Sequence, residues 1–159
     1  MTERNNIVQE TPDASDLRLR TLNPLIGEWE LHHSDLNTGE TWGGRDQFMW
    51  MDGGFFLMFH HEELGRNIKG TMIIGFERRW AAEQFSDMMI GHWFESSTGN
   101  HFVYSWEVDD QTVRFSLEER NSPYRFLGHF NNDRSRIDGQ WHLPDGSAYA
   151  LTMTRISAS

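Results

Sequence analysis

From Gly27 onward the chain runs in short segments of alternating apolar and polar residues, each closed by residues that favour turns, and this pattern predicts about ten β-strands. The first spans 28–36 and turns at Asn37-Thr38-Gly39; the second spans 41–51 and turns at Asp52-Gly53-Gly54. Strands at 55–64 and 69–77 follow, then a fifth ending near Phe94 ahead of Ser96-Ser97-Thr98-Gly99. Segments 101–108, 112–118, 124–130, 136–143 and 147–156 complete the set. Every connection is hairpin-sized except the stretch 78–84. Consecutive hairpins make an up-and-down antiparallel meander, and a meander this long removes its unpaired edges by closing into a barrel. The expected fold is therefore an all-β barrel of about ten strands. An open sandwich is the alternative, disfavoured because no long Greek-key crossover is evident. Ahead of the first strand, Asp13 or Ser15 caps a short helix carrying Leu17 and Leu22, which Asn23-Pro24 should stop, and this helix closes one end of the barrel.

Alternation also assigns faces, because successive strand residues point to opposite sides. Trp29, Leu31 and His33 share one face, as do Phe55, Leu57, Phe59 and His61, and likewise Phe102, Tyr104 and Trp106. These are the expected interior, joined by Trp93, Tyr124 and Tyr149. The neighbours His32 and His60 should face outward. So should Phe56 and Met58, then Met72, Ile74 and Phe76, then Met88 and Ile90, which would form an apolar patch across three strands. A contiguous patch of this kind marks a partner surface, and a two-fold homodimer is the commonest way to bury one.

With the helix end taken as the bottom, strand direction places His32, His33, His60, His61, His92, His101 and His142 near the top, seven of the eight histidines. The top is then the mouth of an aromatic cavity with a few polar groups at its opening, suited to a small hydrophobic or aromatic molecule with a polar end. The expected ligand-binding residues are His33, Phe59, His61, Trp93, Tyr104, Trp106, Tyr124 and Tyr149. A histidine near a strand end is more usually just a tolerated, half-exposed polar residue. Paired histidines suggest metal, yet adjacent strand residues diverge and no fixed-spacing zinc motif is present, so no metal site is expected. The acidic pairs Glu62-Glu63, Asp109-Asp110 and Glu118-Glu119 read as surface. Nucleophile elbows, phosphate-cradling loops and His-Glu-x-x-His are absent from the sequence. The alternative to a binding module is a barrel enzyme of isomerase or cyclase type, with an inward His and Tyr moving a proton.

Composition narrows the partners. The chain has 159 residues, of which 1–12 read as a flexible polar tail and 13–159 as one domain. A formal net charge of −10 and a pI near 5.1 disfavour nucleic acid and anionic membranes. No apolar run approaches the roughly 20 residues of a spanning helix, the first residues lack a signal-peptide centre, and the expected location is cytoplasmic. Without cysteine there is neither disulfide nor thiolate site, so seven Trp and eleven Phe must carry the packing.

The order of helix, Gly27-x-Trp29, hairpin meander, Trp93-Phe94-Glu95-Ser96 and Thr154-Arg155-Ile156 resembles the bacterial lipocalin-like (calycin superfamily) domains of unknown function, and more distantly nitrobindins and fatty-acid-binding proteins, over residues 16–156. The resemblance implies a ligand-holding barrel in which Arg155, on the last strand, packs over the Trp29 indole as a structural closure. Nitrobindin likeness would imply haem. However, Gly27-Glu28-Trp29 continues as Glu30-Leu31-His32 without that family's further glycines, and the final strand has no histidine to serve as axial ligand. The expectation is no cofactor, with haem kept as an alternative because histidines stand on other strands.

Overall fold

The computed structural model describes residues 17–157. The expected tail and the capping residues Asp13 and Ser15 lie outside the described residues. Ten strands follow one 3-10 helix, Leu17–Leu25: β1 (Gly27–Asp35), β2 (Thr41–Trp50), β3 (Phe56–Glu63), β4 (Ile68–Phe76), β5 (Met89–Glu95), β6 (His101–Val108), β7 (Thr112–Leu117), β8 (Arg125–Phe130), β9 (Arg136–His142) and β10 (Ala148–Ser157). Each pairs antiparallel with its neighbours in sequence, and β10 pairs with β1 to close the barrel. Closure leaves no strand edge open for intermolecular pairing.

The helix plugs the bottom in a way that its sequence period explains. Leu19, Leu22 and Leu25 recur every third residue, the 3-10 repeat that stacks side chains on one face, and each is at most 1% exposed. Leu17, expected to pack, is exposed, and the helix continues through Pro24 rather than stopping before it. The final turn leaves carbonyls without partners inside the helix, and the barrel supplies the donors. Trp29 Nε1 donates to the Leu25 carbonyl at 2.8 Å. Arg155 donates to the carbonyls of Ile26 and Pro24 while its guanidinium lies 4.2 Å from the Trp29 ring centroid. The β1–β10 ladder sets Trp29 directly opposite Arg155, which is why the two meet.

Inside, glycines make room for rings. A Cβ at Gly70 would sit 2.5 Å from the Trp93 ring, and one at Gly91 would sit 2.5 Å from Trp106 Nε1. Both indoles therefore press against the wall where it has no side chain, and any larger residue at either position would have to push one away.

The outer face of β4 differs from expectation. Met72, Ile74 and Phe76 are buried and inward, not outward. The β3–β4 ladder places Met72 opposite Phe59 and Ile74 opposite Leu57, and directly opposed residues share a face. The run Met72-Ile73-Ile74 is apolar on both faces, so its alternation could not be phased from the sequence alone. Met88 precedes β5, where its sulfur lies 2.8 Å from Arg120 Nη2. The outer wall is built instead from Phe56, Met58, Ile73 and Ile90. Among the described residues, no helix is long and apolar enough to cross a membrane.

Candidate functional site

The barrel encloses a cavity of about 340 Å³. Its floor is Leu25, Val113, Ile137 and Met153, and its belt is aromatic, with Phe48, Phe59, Trp93, Trp106, Phe115, Phe126 and Trp141. The belt rings contact one another around the wall: Trp106 stacks on Phe115 at 4.3 Å and Phe48 on Phe59 at 4.7 Å between centroids. The upper lining reaches the β3–β4 turn at Arg66 and the β9–β10 turn at Leu143, so the mouth lies opposite the helix.

His33, Phe59, His61, Trp93, Tyr104, Trp106, Tyr124 and Tyr149 all line this cavity. Trp29 and Arg155 do not, because they form the closure beneath it. His32 and His60 are exposed on the outer face, and Phe102 lines the rim at 38% exposure.

Several lining residues escaped the sequence reading. Glu63 is not a surface residue; its side chain is only 12% exposed and it lines the mouth. It continues the inward alternation Leu57, Phe59, His61, and that phase was the available signal. Asp46 likewise occupies an inward phase of β2, shared with Gly44, Phe48 and Trp50. Trp42, Arg66 and Glu95 complete the rim.

The β2–β3 ladder sets Asp46 opposite His61. The His61 Nδ1 lies 2.6 Å from Asp46 Oδ1, and its Nε2 lies 3.4 Å from Glu63 Oε1. Glu63 also accepts the Trp42 indole N–H at 2.9 Å. The His33 ring stacks on Trp42 with centroids 5.1 Å apart and planes within 2° of parallel. Its Nε2 stands 3.7 Å from Glu63 Oε1, too long for a hydrogen bond. The Arg66 guanidinium lies 3.7 Å from the Trp42 centroid and pairs with Glu40 at 3.2 Å.

Burial and charge push these groups apart. Burial by itself would lower His61, but the Asp46 carboxylate beside it, with Glu63, raises it to about 10. His61 is thus an imidazolium across the neutral range. Burial lowers His33, and Glu63 only partly opposes this, so His33 is neutral. Burial would raise Glu63, yet hydrogen bonding and charge from His61 hold it below the ordinary carboxylate value. Burial raises Tyr104, with Tyr124 beside it adding to the effect, and burial raises Tyr124 as well. The Nδ1 of His33 is buried and has no hydrogen-bond partner. A buried polar atom left in that state carries a cost, which a bound group would relieve.

Among the described residues, no group of three or more His, Asp or Glu is arranged to hold a metal ion. Haem does not fit these residues either. An axial imidazole needs a free nitrogen facing open space, whereas both His61 nitrogens face carboxylates and the His33 Nδ1 is buried to the point that no group of that size reaches it with the ring stacked on Trp42.

No protein family and no curated protein sequence matches this chain. Among solved structures it is similar to a redesigned beta barrel, with 18% identity and a TM-score of 0.42 over 86% of this chain and 95% of that one. It is also similar to a de novo designed fluorescence-activating beta barrel, with 10% identity and a TM-score of 0.41 over 82% of this chain and 92% of that one.

Proposed function

We propose that this protein is a lipocalin-like binding barrel that holds a small hydrophobic or aromatic molecule, with the ligand's polar end at the mouth. The observation that carries the reading is the enclosed cavity of about 340 Å³, apolar and aromatic from floor to belt and polar only where His33, Asp46, His61, Glu63 and Glu95 gather at the rim. Sites for small molecules have this composition: broad apolar contact for affinity, and a few convergent polar groups for orientation. The unpartnered His33 Nδ1 supports it further.

A second reading, proton transfer on an isomerisable substrate, draws its support from one atom. His61 and Tyr104 both hold their protons firmly, which makes them poor bases. His33, neutral and with an unpartnered nitrogen, is the group able to accept a proton. Native mass spectrometry of freshly purified protein separates the readings. Binding predicts an adduct that is released unchanged, whereas turnover predicts conversion that disappears in His33→Phe. Polypeptide mass alone in every preparation, together with no uptake of the neutral dye Nile red, would remove the binding reading.

A further inference from the structure

We propose that the molecule held in this cavity carries a protonated amine, not a carboxylate, at the mouth; the proposal rests on the binding reading above and assigns the ligand its chemical class.

The first ground is the supply of donors and acceptors. Apart from three tyrosines, the ionisable lining comprises the carboxylates Asp46, Glu63 and Glu95, the cations His61 and Arg66, and His33. Neither cation is free to meet an anionic ligand. One ring nitrogen of His61 faces Asp46 and the other faces Glu63, while Arg66 lies against Trp42 and is paired with Glu40. The acceptors are less fully used. A carboxylate offers about four lone-pair positions. Glu95 receives Thr98 Oγ1 at 2.8 Å and Trp93 Nε1 at 3.4 Å, and Glu63 receives Trp42 Nε1 and faces the two imidazoles. The hydroxyls of Tyr104, Tyr124 and Tyr149 on the same lining can both donate and accept, so they serve either head group.

The second ground is independent of the acidic groups. His33 is 3% exposed, lines the cavity, and has an Nδ1 with no partner. The Glu63 carboxylate 3.7 Å from Nε2 favours the tautomer protonated there, which leaves Nδ1 as a buried lone pair in need of a donor. An ammonium brings three donors. A carboxylate brings none, and would enter beside three carboxylates in a chain of net charge −10.

The test is displacement of Nile red by a matched series, 4-phenylbutylamine, 4-phenyl-1-butanol and 5-phenylvalerate, which differ chiefly in the head group. The amine should displace the dye at a concentration at least about tenfold below that of the carboxylate, with the alcohol between them, as expected for one added charge interaction. Glu63→Gln and Glu95→Gln should each shrink the amine's advantage over the alcohol. If Glu63→Gln does not fold, as thermal melting would report, Glu95→Gln carries the test by itself. A carboxylate that competes as well as the amine overturns the proposal and leaves the binding reading standing. So does an amine advantage that survives substitution in every folded variant. Failure of the dye and all three probes to bind overturns both.

Discussion

Substituting Asp46→Asn removes the charge that keeps His61 protonated while preserving an oxygen able to accept from Nδ1. The two side chains are 8% and 16% exposed, so solvent screens them little. Moving the ring from 6.5 to about 10 corresponds to a ceiling of about 5 kcal/mol, at about 1.4 kcal/mol per pH unit. At pH 7 the unfolded ring is already largely neutral, which lowers that ceiling to about 4 kcal/mol. The variant can also shed the proton and keeps Glu63 nearby, so its loss should fall below the roughly 3 to 5 kcal/mol of an abandoned buried charge. The expected destabilisation is about 2 to 3 kcal/mol, or roughly 5 to 10 °C in Tm for a chain of this size. Because the folded value lies above the unfolded one, the His61 contribution is complete below pH 6.5 and is lost as pH rises through about 10. The gap between wild type and variant should therefore close across that interval. His33 acts oppositely: its folded value is lowered, so it adds stability as pH rises toward 6.5. Glu63, also lowered, contributes stability that is lost as pH falls through its folded value. Urea melts of both proteins from about pH 6 to about pH 10.5 read the gap directly, and the His61 Cε1–H resonance reports its titration. A gap unchanged between pH 7 and 10, or a wild-type His61 that titrates near 6.5, would show that Asp46 does not hold the proton on His61.

Two further outcomes test the ends and the wall of the barrel. Arg155→Ala removes the guanidinium 4.2 Å from the Trp29 ring and strands the Pro24 and Ile26 carbonyls, so stability should fall by about 2 kcal/mol with ligand affinity nearly unchanged. An unaltered Tm in that variant would remove the closure from the account. On the outer wall, Phe56, Met58, Ile73 and Ile90 are the residues through which we infer a two-fold homodimer. Light scattering should give a dimer mass at micromolar concentration and a monomer mass for Ile73→Glu; a wild-type monomer mass that persists as concentration rises would refute it.

Local chemistry along the chain determined the number of strands, their order and nearly all their boundaries. Turn residues such as Asn37-Thr38-Gly39 and Asp52-Gly53-Gly54 act over a few positions, and alternation in β1, β3 and β6 marks one face without reference to any partner. Phe59, Trp93, Tyr104, Trp106, Tyr124 and Tyr149 were legible for the same reason, whereas Phe48, Phe115, Phe126 and Trp141 complete the belt without having been singled out by the sequence. What escaped depends on contacts between strands distant in sequence. Met72-Ile73-Ile74 is apolar on both faces, and only the ladder that sets Met72 against Phe59 decides which face is inward. Pro24 reads as a stop because proline disfavours the α-helix, but the 3-10 helix continues one residue past it and its last carbonyls are bound by Arg155, 131 positions away. Glu63, beside Glu62, reads as a solvated carboxylate because a charge in a strand belongs in water, and nothing in the sequence draws Asp46 to the site. Only the tertiary structure places them against His61 and Trp42, and there the cost of burying each charge is offset by the opposite charge and the indole N–H that it meets. Periodicity tells which residues share a face; register and closure decide which charges meet on it, and therefore which groups at the mouth hold their protons.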